Sequence, residues 1–157
     1  MRIRFITIGK TQEPWLQKGV ACYEERLKHY CNFERIELPE VKSRAYLSAE
    51  HMKEQEGALL LKRIEAQDEL ILLDERGTEV PSEQLAIQLE KKMIHGASSL
   101  VFVAGGAYGF SPAVYAKAKE LWALSRLTFS HQMVRVIFLE QLYRCFTIIK
   151  GEPYHHK

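Results

Sequence analysis

The sequence predicts an α/β fold, a mainly parallel sheet covered by helices, in one domain spanning residues 1–157. Three observations lead to it. Short apolar runs alternate with helical patterns along the whole chain, the order in which βαβ units are written. The runs Leu70-Ile71-Leu72-Leu73 and Leu100-Val101-Phe102-Val103-Ala104 are apolar at every position, as suits strands covered on both faces. The second run breaks on Gly105-Gly106, and a helical pattern restarts at Ser111-Pro112. Bare main-chain amides are therefore expected at the carboxyl edge of a sheet, where such folds hold small ligands.

Each element follows from its local pattern. Ile3, Phe5, Ile6 and Ile8 mark the first strand, ended by Gly9-Lys10. Residues 16–30 carry Leu16, Val20, Tyr23 and Leu27 on one helical stripe. Phe33 to Leu38 reads as a second strand stopped by Pro39, and residues 40–48 as a mobile loop. Ser48 is placed to cap a helix running to about Ile64. That helix is thinly apolar, at Met52, Leu59, Leu60 and Ile64, and so well solvated.

The strand Leu70 to Leu73 follows, then the polar stretch Asp74-Glu75-Arg76-Gly77. Ser82 caps the next helix, with Glu83 and Gln84 in a first turn that suits the helix dipole. Leu85, Ile87, Leu89 and Met93 are its expected buried side, and His95-Gly96 its end. Beyond the strand at 100–104, Ser111 as N-cap and Pro112 at N1 open a helix to about Leu121. Residues 122–125 read as a last short strand, and Met133 to Ile149 as the final helix, closed by Gly151 and Pro153. Only Arg135, Glu140, Gln141, Arg144 and Thr147 are polar in that helix. An apolar surface reaching nearly all round it calls for burial on two sides, most simply against the sheet and a second subunit of a homodimer.

Composition narrows the function classes. The net charge of +2 and a charged fraction of 27% argue against a generic polyanion binder. The charge is uneven. Arg126, Arg135, Arg144, Lys150 and Lys157 face only Glu140 and Glu152 after residue 125, whereas residues 40–69 are locally acidic. A basic end beside a ligand loop is compatible with a phosphate-bearing substrate. The three cysteines, Cys22, Cys31 and Cys145, have no metal-ligand spacing and read as reduced thiols. The first residues lack a signal-peptide pattern, and no apolar run nears the roughly 18 residues of a membrane span, so a cytoplasmic protein is expected.

Two stretches carry the candidate chemistry. The glycines of Gly105-Gly106-Ala107-Tyr108-Gly109 are spaced GGxxG, and the stretch lies in the fourth βα unit. It is therefore not a dinucleotide fingerprint, and no GxxxxGK[ST] occurs. It is either a tight strand-to-helix turn or a ligand cradle. Leu124-Ser125-Arg126-Leu127-Thr128-Phe129 connects the last strand to the final helix, where small, polar and apolar residues can offer backbone donors and an apolar wall to an adenine ring. His131 is a cap, a surface residue or a catalytic group. Arg135 gains nothing from the helix dipole near an N-terminus, which favours a phosphate or carboxylate contact. Arg144 follows Glu140 at i,i+4 spacing, an ordinary ion pair. The tail Tyr154-His155-His156-Lys157 is either frayed or suited to gripping an RNA base and backbone. Metal-spaced ligand clusters, GxSxG and a Ser-His-Asp series are absent.

Taken together, Leu72-Leu73-Asp74, Val103-Ala104-Gly105-Gly106-Ala107-Tyr108-Gly109, Leu124 to His131, Val134-Arg135, Glu140-Gln141-Leu142-Tyr143-Arg144 and Pro153-Tyr154-His155 closely resemble one family across the full chain. It is the RlmH family of bacterial 23S rRNA pseudouridine N3-methyltransferases, of the SPOUT class. The resemblance implies an α/β-knot with a C-terminal trefoil knot, a rare exception to the usual topology rules. It implies a homodimer acting on 23S rRNA in the assembled ribosome, with S-adenosyl-L-methionine as cofactor and neither a metal nor a membrane involved. It places Leu73, Gly105, Leu124, Ser125, Arg126, Leu127, Thr128 and Phe129 against the cofactor. The family commonly has Ile where this chain has Ala104, and the residues after the two glycines vary.

The chemistry expected is direct methyl transfer to N3, for which positioning and charge stabilisation are the main tasks. His131 is the candidate base for the N3 proton, since an imidazole titrates near neutrality in water. Arg135 is the candidate for stabilising an anion. Tyr154 and His155 are candidates for closing over the base, from the second subunit. A ribosome-binding factor without catalysis and a nucleotide-dependent oxidoreductase remain as rival classes.

Overall fold

The computed structural model describes residues 1–42 and 46–156. Strands and helices alternate as β1 (Arg2–Ile8), α1 (Pro14–Leu27), β2 (Asn32–Leu38), α2 (Ala49–Leu61), β3 (Asp68–Glu79), α3 (Ser82–Ile94), β4 (Ser99–Ala104), α4 (Pro112–Lys117), β5 (Glu120–Ala123) and α5 (Met133–Lys150). The five strands form one sheet in the order β2-β1-β4-β3-β5. Every pairing within it is parallel.

Strand alternation divides the core in two. Ile3, Phe5, Ile71, Phe102 and Trp122 point to one face, where α1, α3 and α5 cover them through Val20, Leu89 and Phe138. Ile6, Ile8, Leu70, Leu72, Val101 and Val103 point to the other, under Leu60 of α2 and Val114 of α4. The consecutive apolar runs thus serve two cores, as predicted. On the first face α5 lies between α1 and α3. Each of its residues except Lys150 is at least half-covered within one chain.

Five local expectations are corrected. β3 does not stop at Leu73; it bulges through residues 74–77 and resumes pairing with β5, so that Leu73 and Thr78 both oppose Trp122. Polar bulge residues carry no alternation to betray a strand. Ser82 is the first residue of α3 rather than its cap, and its hydroxyl donates to Gln141 Oε1 (2.8 Å). Ile87 is half exposed, since a residue two positions from Leu85 and Leu89 cannot share their face, and Ala86 is buried there instead. α4 ends at Lys117, because the chain must extend from Ala118 to reach the sheet edge, and Ser111 makes no side-chain cap bond. α2 ends at Leu61, short of Ile64, although Ser48 caps it as expected by accepting from the His51 N–H (3.2 Å). Residues 40–42 and 46–48 form no regular element; residues 43–45 of the expected loop and Lys157 of the tail lie outside the described residues.

Candidate functional site

The carboxyl ends of β3, β4 and β5 open into a cleft of about 810 Å³, within the usual range for small-molecule sites. Three segments build it: the bulge after Leu73, the turn after Ala104 and the connector from Leu124 to His131. Leu73, Ala104, Trp122, Leu124, Phe129 and Val134 supply apolar surface.

The glycine turn is held from behind. A Cβ on Gly105 would meet the Phe110 ring at 3.1 Å, and one on Gly106 would lie 2.8 Å from Glu56 Oε2. The turn closes on itself: the Gly109 N–H donates to Gly106 O (3.1 Å), with Gly109 at φ +79°, a conformation that favours glycine. Glu56 is buried there. Burial and the charge of Glu40 push its carboxyl above the usual carboxylate range, against a bond from the Val41 N–H.

The bulge adds groups that sequence reasoning did not single out. Asp74 accepts from the Arg76 N–H (2.9 Å), the Arg76 guanidinium and the Tyr115 hydroxyl. Burial opposes ionisation of Asp74, but the bonds from Arg76 and Tyr115 hold its carboxyl below the usual range. Burial and Asp74 in turn push the Tyr115 hydroxyl up to about 12. The Arg76 guanidinium also lies over the Tyr115 ring, 4.8 Å from its centroid. Gly77 makes the bulge possible, because a Cβ there would lie 2.5 Å from the main chain of Leu121. The sequence signal was present: four polar or glycine residues directly after a wholly apolar run mark the edge where ligands sit.

In the connector, the Leu127 N–H donates to Ser125 Oγ (3.0 Å), and the Thr128 hydroxyl reaches across to Glu75 Oε2 (3.0 Å), tying connector to bulge. Ser130, not His131, serves the start of α5, its hydroxyl accepting from the Met133 N–H (3.1 Å). His131 lines the cleft, half-buried. Leu73, Gly105, Leu124, Ser125, Leu127, Thr128 and Phe129 line it with His131. Arg126 does not; its guanidinium points outward, 3.3 Å from Glu79.

Arg135 requires a correction. It is 1% exposed, and its guanidinium donates to Ile8 O (2.7 Å), Gly9 O (2.9 Å), Thr11 Oγ1 (3.0 Å) and His131 O (3.0 Å). The side chain is turned inward, onto the main-chain carbonyls at the end of β1. It therefore ties the start of α5 to the end of β1 and presents no charge to the cleft. Periodicity cannot show this, because the Ile8 and Gly9 carbonyls lie over a hundred residues away in sequence.

Tyr154 and His155 are not frayed. The Tyr154 hydroxyl donates to Glu140 Oε1 (3.1 Å), and its ring packs against Tyr143, centroids 4.8 Å apart, with the Arg144 guanidinium over it at 4.9 Å. His155 Nε2 lies 3.1 Å from a Glu83 carboxylate oxygen, and its Nδ1 3.3 Å from Arg144. Both residues sit along α5 and outside the lining of their own chain's cleft. The Glu140–Arg144 pair is present as expected (2.5 Å). Among the described residues no group of three His, Cys, Asp or Glu is placed to hold a metal ion, and no helix is long and apolar enough to cross a membrane.

Comparison with known proteins gives the family. A family model described as predicted SPOUT methyltransferase matches residues 1–155. Curated relatives named ribosomal RNA large subunit methyltransferase H align end to end. The protein from Cytophaga hutchinsonii is 50% identical over 156 residues, covering 99% of this chain and all of the relative. Those from Parabacteroides distasonis and Flavobacterium johnsoniae are 49% and 48% identical over 157 residues, covering all of both chains.

Proposed function

The chain belongs to the SPOUT methyltransferase family, and from that premise we propose that it methylates N3 of a pseudouridine in 23S rRNA of the assembled ribosome, with S-adenosylmethionine as donor. The observation that carries this reading is the cleft itself. Two sequence-distant stretches, the glycine turn and the connector 124–129, converge with Leu73 on one cavity.

The residues present fit the donor. Gly105 and Gly106 let the turn lie close against Phe110 and Glu56, the turn residues line the cavity, and Leu73, Leu124 and Phe129 give it an apolar wall. Leu73, Gly105, Leu124, Ser125, Leu127, Thr128 and Phe129 would hold it, and Arg126 joins them through its main chain at most. Bound there, S-adenosylmethionine supplies a methyl group already activated by its sulfonium. The protein's own work is then to orient, to exclude water and to handle one proton. His131, in the same cleft, takes the proton from N3. Arg135 fixes the His131 carbonyl and so the start of α5 (3.0 Å). The Thr128–Glu75 bond steadies the cleft mouth.

The active form is a homodimer in which a second copy's Tyr154 and His155 close over the base. The partly exposed apolar residues of α5, such as Ile137, supply an association surface. The single domain of residues 1–157, the C-terminal trefoil knot and a cytoplasmic location belong to the same reading.

The test is transfer of a tritiated methyl group to intact ribosomes from cells lacking the enzyme, with the modified nucleotide mapped. Label on the pseudouridine supports the reading. Absence of label, with no calorimetric heat on adding the donor, reassigns the chain to a binding factor without catalysis.

A further inference from the structure

We infer that Tyr108 is a substrate-positioning residue, a stacking platform for an unpaired nucleobase brought to the cleft; the inference rests on the rRNA methyltransferase reading above. Among the described residues, Trp15, Tyr46, Ile87, Ile94, Tyr108 and Leu127 are the large apolar side chains left exposed. Two of the six, Tyr108 and Leu127, border the cleft, and they stand on different segments of it. Tyr108 is 52% exposed, at the tip of the turn closed by the Gly106–Gly109 bridge. That closure fixes the backbone that carries the ring. An aromatic ring on a braced turn offers a preorganised face, and little flexibility is lost when a base settles on it.

The charges around the mouth point the same way. Lys53 is 2.9 Å from Glu50, Arg76 is 3.2 Å from Asp74 and Arg126 is 3.3 Å from Glu79. These three cations already have carboxylates, which makes them a poor phosphate-tracking set. An RNA strand is then gripped chiefly by its bases. Unpaired, splayed-out bases recognised by aromatic faces are the common mode of RNA recognition, and a base presented for chemistry has to leave its stack.

The experiment uses the full-length enzyme with ribosomes that lack the modification. Wild type, Tyr108→Ala, Tyr108→Phe and Tyr108→Leu are compared for kcat and for KM of ribosomes, and donor Kd is read separately by calorimetry. The expected result is a rise in ribosome KM of about 5- to 150-fold for Tyr108→Ala, with rescue by Tyr108→Phe. Tyr108→Leu falls between, and donor Kd moves less than about twofold. Equal KM values for wild type and Tyr108→Ala overturn the inference while leaving the methyltransferase reading intact. A donor Kd weakened in step with KM also overturns it, by assigning the ring to the donor. Wild type that transfers no methyl group refutes the underlying reading instead.

Discussion

Arg135→Met tests the claim that this arginine is a structural clamp. The substitution keeps much of the side-chain length but removes all four hydrogen bonds, three of them in buried surroundings at Ile8 O, Gly9 O and Thr11 Oγ1. A buried acceptor left without its donor costs about 1–3 kcal/mol, so the gross loss is about 3–9 kcal/mol. Part of it is returned. The guanidinium has no carboxylate within ion-pair distance among the described residues, and burial holds its pKa below the usual arginine value. Removing an unpaired buried cation relieves a desolvation penalty of several kcal/mol. The net expectation is a destabilisation of about 2–4 kcal/mol, a large share of the total for a domain of this kind. Urea unfolding followed by tryptophan fluorescence and circular dichroism reads it as a midpoint lowered by about 1–2 M at an unchanged m-value. Arg135→Lys, which keeps a charge but not the planar fork, lies between. A midpoint within about 0.3 M of wild type, combined with abolished methyl transfer, would refute the clamp and restore Arg135 as a cation acting on substrate.

Other outcomes follow from the same structure. His131→Ala is expected to slow single-turnover methylation by about 10²-fold or more and to flatten its pH profile; an unchanged rate and profile removes His131 from the mechanism. Gly77→Ala forces a methyl group against the Leu121 main chain and should cost about 1–3 kcal/mol by thermal denaturation, as overpacking does. Gly96→Ala, at φ +81° with open space around it, costs only the conformational penalty of about 1–2 kcal/mol and leaves donor binding unchanged. Burial of Asp68 favours its neutral form, but the nearby Ser99 hydroxyl and the bonds from Arg4 and the Glu65 N–H prevail and hold its folded-state pKa below the ordinary value. Its stabilising contribution is therefore complete above the ordinary carboxylate pKa and is lost as pH falls through the depressed one; Asp68→Asn should remove that acid-limb component from a stability–pH curve. Glu56 runs the other way: its folded-state pKa is raised, so ionising it at neutral pH costs stability. Glu56→Gln is expected to stabilise the protein at pH 7, with the gain vanishing below the ordinary carboxylate pKa, where both states are protonated.

Much of this architecture is legible in the sequence because parallel sheets impose a strong code. Leu70 to Leu72 and Val101 to Val103 must satisfy two cores at once, so their uninterrupted apolarity identifies them without knowledge of neighbours. The cleft was legible for a related reason: glycines and small residues directly after such runs have no core to serve. What escaped depends on contacts between distant segments. The second half of β3 is polar and becomes a strand only because β5 lies beside it. The Arg135 guanidinium finds its partners across the molecule at the end of β1. Asp74 and Tyr115 are 41 positions apart and meet through the crossover of α4. The sequence left the tail residues either frayed or free to grip RNA, and in the structure Tyr154 is bound along α5 by aromatic packing and Glu140.

The outermost strands also govern how molecules of this kind can meet. β2 ends the sheet on one side with Glu34, Arg35 and Glu37, tied to Arg2 and Glu24. β5 ends it on the other with four residues, where Glu120 is engaged by Lys92 and by the Trp122 indole N–H. Charged or very short borders make poor templates for lengthening a sheet. Ordered pairing by strand addition is thereby discouraged on both flanks, and helical surfaces are left as the route to self-association. Aggregation through exposed ribbons should accordingly be slow even when the protein is concentrated, and it should appear first in variants that strip charge from β2.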